Sequence, residues 1–147
     1  MLYFSTRNTE EKFTFEEIIL NGLAEDGGLY IPEKIPTLTV NDINRLLSYD
    51  YETIAYEIII KFTGQTFTSD VLKKMIHDSY SSFRSDVVTP LIKIDDSLSI
   101  LELFHGPTLA FKDLAMQLLS RMIEEILSRN KSKASIICAT SGDTGGA

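Results

Sequence analysis

The sequence predicts an α/β fold that is mainly helical at first and then alternates between strand and helix. Three observations predict it. Through most of residues 1–88, apolar residues recur at helical spacing between capping and stop signals. After Pro90, apolar runs of strand length flank one long amphipathic stretch. Two loops, one bearing a lysine and one rich in glycine, follow the last two strand-like runs, where ligands bind in open α/β sheets. The change of pattern at Thr89-Pro90 divides the chain into residues 1–88 and 89–147.

In the first part, Thr14-Phe15-Glu16-Glu17 has capping-box spacing ahead of Ile18, Ile19 and Leu23, and predicts a helix that stops at Asp26-Gly27-Gly28. Leu29-Tyr30-Ile31 reads as a short strand closed by Pro32. A small helix over residues 41–47 follows, then one over 51–62, capped by Asp50 and ended by Gly64. A further helix spans 69–83 and carries His77 beside Lys73 and Lys74, where a histidine is a surface or packing residue rather than a ligand.

In the second part, Leu91 to Ile94 and Ser99 to Phe104 flank Asp95-Asp96-Ser97, which is hairpin-turn chemistry. Leu114, Met116, Leu118, Leu119, Met122, Ile123, Ile126 and Leu127 give residues 111–128 a broad apolar face and predict a mostly buried helix. Residues 135–139 then read as a buried strand that opens into Thr140-Ser141-Gly142-Asp143-Thr144-Gly145-Gly146-Ala147. The sum is a βαβ unit whose two loops leave the same end of a parallel sheet. Neighbouring strands lie about 4.8 Å apart, so both loops would face one small molecule.

Composition narrows the function. With 147 residues, 44% of them hydrophobic, the chain can bury one core. A net charge of −7 without a cluster of Lys and Arg argues against a nucleic-acid or anionic-membrane surface. Its apolar runs are too short to span a bilayer, and Met1 to Arg7 lacks a basic-then-apolar leader, so a cytoplasmic setting is expected. The lone Cys138 has no partner for an internal disulfide and fits a buried strand. Two histidines without a second cysteine argue against a zinc site.

The segment His105-Gly106-Pro107-Thr108-Leu109-Ala110-Phe111-Lys112-Asp113 is the most informative. A nucleophilic lysine must be desolvated or set beside positive charge, since its reference pKa is about 10.4. Leu109, Ala110 and Phe111 supply an apolar surround, and a helix start disfavours an ammonium nearby. Lys112 is thus a candidate Schiff-base lysine. Taken alone, a solvated surface lysine followed by a well-placed Asp113 is the commoner reading. His105 reads equally well as a turn residue. The second loop leaves backbone N–H groups free for a carboxylate or phosphate, or is an ordinary βα turn. Neither the phosphate-loop spacing of glycines and lysine nor a dinucleotide-binding Gly-x-Gly-x-x-Gly is present.

Four segments shift this balance. Glu102 to Asp113 and Ala139 to Gly146 closely resemble hallmark segments of the threonine synthase family, pyridoxal-phosphate enzymes of fold type II. Gly22 to Pro32 and Tyr3 to Arg7 resemble its N-terminal segments, with departures at Asn8, where glycine is usual, and Gly146, where serine is common. The resemblance implies an N-terminal domain at 1–88 and, from 89, the start of a three-layer αβα domain with a parallel sheet. It implies pyridoxal 5'-phosphate as cofactor, carried on Lys112, which also serves as a proton-transfer base. Phe111 and Asp143 would adjoin the cofactor, while Ser141, Gly142 and Thr144 would bind the substrate's carboxylate. The implied reaction converts O-phospho-L-homoserine and water to L-threonine and phosphate. Because those enzymes are much longer, the expectation is an N-terminal fragment, inactive unless a complementary C-terminal chain completes it. The other readings are a non-catalytic remnant or binding module that keeps the fold, and a phosphate-binding protein that makes no use of pyridoxal phosphate.

Overall fold

The computed structural model describes Met1–Ala147, and the chain forms two units, Met1–Lys73 and Lys74–Ala147. In the first, strand β1 (Leu2–Ser5) turns through Thr6 and Arg7 into β2 (Asn8–Thr14), and β3 (Tyr30–Pro32) lies on the other edge of β1. Both pairings are antiparallel. Periodicity gives no sign of β2, because Phe13 is its one apolar residue and the rest is exposed. Its strand form comes from the ladder β1 offers, with Tyr3 opposite Phe13 and Ser5 opposite Asn8.

Helix α1 (Phe15–Asn21) begins at the expected capping box: Glu17 N–H donates to Thr14 Oγ1, and Thr14 N–H donates to Glu17. It ends earlier than expected, at Gly22, whose positive φ of 72° turns the chain away. The Asp26-Gly27-Gly28 segment is therefore no helix stop. Its role is to clasp β1: Ser5 Oγ donates to Asp26 Oδ1 at 2.7 Å, and Gly28 N–H donates to the same oxygen at 2.8 Å. Ser5 is buried, and a Cβ on Gly28 would lie 2.1 Å from its hydroxyl, so only glycine fits there.

Helices α2 (Val40–Leu46) and α3 (Tyr51–Thr63) follow, with Asp50 accepting from Thr53 N–H and Gly64 ending α3 as expected. The unit's core gathers Tyr3, Phe15 and Phe67 in a chain of ring contacts, one tilted at 6.1 Å and one edge-on at 6.2 Å. The buried Tyr3 donates its hydroxyl to Phe62 C=O at 2.8 Å, which ties the sheet to α3.

Helix α4 (Ser69–Tyr80) buries Leu72, Met75, Ile76, Ser79 and Tyr80, one face at helical spacing. It stops three residues short of the expected end because the backbone turns after Tyr80, where Phe83 N–H bonds Tyr80 C=O. Strands β4 (Leu91–Lys93) and β5 (Ser99–Leu101) form the expected hairpin, and Asp95 Oδ1 accepts from the N–H groups of Ser97 and Leu98 at its turn. Helix α5 (Asp113–Arg129) buries Leu118, Met122 and Ile126, a narrower stripe than the mostly buried helix expected. It packs on the second half of α4: Ser79 donates to Gln117 C=O, Tyr80 to Leu114 C=O, and Arg121 to Asp78 C=O. No helix is long and apolar enough to cross a membrane.

Two expectations fail here. Residues 135–139 form no strand, Ile136 and Ile137 are 80% and 96% exposed, and Cys138 is exposed rather than buried. The βαβ unit is accordingly not closed, and both sheets are antiparallel. The cause is the non-local nature of a strand. An extended segment needs a second backbone to satisfy its ladder, and within this chain β5 pairs only with β4.

Candidate active site

The lysine loop begins where β5 ends. Glu102 and His105 pair through Oε2 and Nε2 at 2.6 Å, and the His105 ring lies 4.8 Å from that of Phe104. Arg84 fastens this entry from outside, its N–H donating to His105 C=O and its guanidinium to Pro107 C=O. The chain then folds back tightly enough to set Leu109 at a φ of +65°, a conformation that costs a side-chain-bearing residue roughly 1–2 kcal/mol. Something must hold it there.

That something is Asp113, which the sequence presents as an ordinary first-turn acid. It is wholly buried, and its two oxygens accept from Thr108, one from the N–H at 2.9 Å and one from the hydroxyl at 2.8 Å. Gly106 lies directly against it, where a Cβ would meet Asp113 Oδ2 at 2.3 Å. The loop from 106 to 112 is thus closed onto the first residue of α5.

Lys112 stands at the N-cap of α5 with helical backbone angles, and its C=O accepts from Met116 N–H at 2.8 Å. Its side chain is half-buried and reaches the second loop: Nζ donates to Thr144 Oγ1 at 2.6 Å, across 32 residues of sequence. The same amine lies 5.7 Å from the centroid of the Phe111 ring. The two loops therefore meet even though the strand meant to carry the second one is not formed.

In that second loop Gly142 takes a φ of 142° and precedes a single turn, α6 (Asp143–Gly146). Thr140 Oγ1 accepts from Gly142 N–H at 3.2 Å. Thr144 is the residue that touches Lys112, whereas Ser141, Gly142 and Asp143 are exposed. Sequence reasoning left two participants without roles, the Glu102–His105 pair and the Asp113 latch on Thr108. The latch spans five residues, from Thr108 to Asp113, which is longer than the local side-chain-to-backbone patterns, so no spacing in the sequence marks it. No three His, Cys, Asp or Glu side chains are grouped to hold a metal ion.

Residues 2–80 match the family model for the threonine synthase N terminus. The chain belongs to the threonine synthase family. It is 41% identical to threonine synthase of Pseudomonas aeruginosa over 147 residues, which is all of this chain and 31% of that protein. With threonine synthase of Schizosaccharomyces pombe the identity is 42%, over 99% of this chain and 30% of the relative. The crystal structure of pyridoxal-phosphate-bound threonine synthase from Brucella melitensis superposes with a TM-score of 0.95 at 44% identity, over 99% of this chain and 31% of that one. The chain thus spans about a third of the length of the threonine synthases it matches. Its α/β fold is that of their N-terminal region.

Proposed function

We propose that these residues form the lysine side of a threonine synthase active site, converting O-phospho-L-homoserine and water to L-threonine and phosphate. The carrying observation is the 2.6 Å contact between Lys112 and Thr144, which joins two loops distant in sequence at one half-buried amine. The residues present fit pyridoxal phosphate: a primary amine for an aldehyde, an aromatic ring beside it, and the Thr144 hydroxyl against it. When bound, the cofactor supplies an electron sink for substrate carbanions.

The chain's own part in this reading is positional and acid–base. Lys112 holds the cofactor and moves protons at Nζ once substrate releases it. Thr144 orients that amine, and with Ser141 and Gly142 it binds the substrate's carboxylate. Phe111 and Asp143 border the cofactor. In domain terms residues 1–88 are the family's N-terminal domain, and 89–147 begin the three-layer catalytic domain. A cytoplasmic setting goes with this reading.

Alone, these 147 residues are expected to turn over no substrate. Ser141, Gly142 and Asp143 face water, whereas electrostatic stabilisation of a developing charge needs a site from which water is excluded. A complementary C-terminal polypeptide of the family is the partner that fits.

The test is incubation with pyridoxal phosphate, borohydride reduction and peptide mapping, for the chain and for Lys112→Ala. Capture at Lys112, lost in the variant, is expected. Phosphate binding with Lys112 unlabelled would favour a phosphate-binding protein, and neither result would favour a non-catalytic remnant.

A further inference from the structure

We propose that Asp113 is a positioning residue for Lys112, its buried carboxylate latching the 106–112 loop so that the amine is presented to the Thr144 side of the site. This rests on Lys112 being the reactive lysine. Three observations carry it. Asp113 is 0% exposed, a location where a carboxylate is retained only if its hydrogen bonds are satisfied, and Thr108 satisfies it twice across five residues. The loop it closes contains the strained Leu109, so the closed form needs an opposing interaction, and hydrogen bonds to a charged group are the stronger kind. Gly106 leaves no space for even one added carbon between loop and carboxylate, so the loop is seated on Asp113 and not merely near it.

The consequence for Lys112 is geometric. Lys112 is bonded to Asp113, so the backbone from which its side chain starts is fixed by the latch. A long, flexible lysine stem then has only its own torsions to settle before Nζ meets Thr144. If the latch opens, the loop can relax at Leu109 and the amine loses its fixed origin. Glu in place of Asp113 would lack space beside Gly106, and Asn would keep the shape but donate where Thr108 also donates.

The test is trace acetylation of the full chain with acetic anhydride, followed by peptide mapping, with the exposed Lys93 as internal reference. In the unsubstituted chain Lys112 should react more slowly than Lys93, because its amine is half-buried whereas that of Lys93, paired with Asp96, is exposed. Asp113→Asn and Thr108→Val should raise the Lys112 rate relative to Lys93 by up to roughly tenfold, the scale of one lost hydrogen bond to a charged group. Thr108→Ser, which restores the hydroxyl, should return it to the starting value. Circular dichroism checks that each variant is folded; if Asp113→Asn is not, the Thr108 pair carries the test. A Lys112 rate that is unmoved in folded Thr108→Val, or moved equally by Thr108→Ser, would overturn the proposal. Acetylation makes no use of pyridoxal phosphate, so failure of cofactor capture would remove the functional reading and leave this result standing.

Discussion

Single carboxylates do much of the local work in this chain, and several are exposed acids tied to neighbouring N–H and O–H groups. The Ser5 hydroxyl and the Gly28 amide hold the Asp26 carboxyl below its ordinary value. The Thr14 amide and hydroxyl do the same to Glu17, Thr39 to Asp42, and the amide and hydroxyl of Ser97 to Asp95. A carboxyl with a lowered folded-state pKa binds fewer protons folded than unfolded. Its stabilisation is therefore complete above the unfolded value of about 4 and is lost as pH falls through the folded one. Urea midpoints should decline between about pH 5 and pH 2, and Asp26→Asn should flatten part of that decline. A midpoint constant across this interval would contradict the role given to these hydrogen bonds.

Helices and strands differ in how far sequence alone reveals them, and the physical reason is the reach of the interactions that define them. Asp50 and Gly64 bracket α3 as expected, because a cap bonds backbone three or four residues away and is fully local. The β4–β5 hairpin was legible for the same reason, with Asp95 marking its turn. Strand β2 was not, since its side chains are solvated and only the backbone of β1 makes it a strand. Residues 135–139 had the composition of a buried strand and no ladder to join. In the site, the meeting of the Lys112 and Thr144 loops was legible, while the burial of Asp113 was not, because nothing local marks an acid as inaccessible. Helix stability should follow the same division. On α5, Ile126→Ala removes a wholly buried side chain and should cost about 2–5 kcal/mol, whereas Asp50→Ala removes one exposed cap of α3 and should cost about 1 kcal/mol. Chemical denaturation of the two variants checks this; equal losses would mean that α5 is not held by its apolar face.

At the scale of the whole molecule, apolar side chains stand exposed in the second unit. Leu91, Ile92, Ile100 and Leu101 on the hairpin are exposed, as are Ile136 and Ile137. Such surface is where partners or copies meet. Sedimentation velocity should therefore show concentration-dependent self-association, weakened by Ile137→Lys; a monomer at all concentrations would speak against an uncovered apolar face. After reduction of the pyridoxal-phosphate-treated chain with borohydride, peptide mapping should find the label concentrated on Lys112 and diminished there by Thr144→Val. Label distributed over exposed lysines such as Lys93 and Lys74, with Lys112 no more modified than they are, would contradict the assignment of this loop as the cofactor's attachment site.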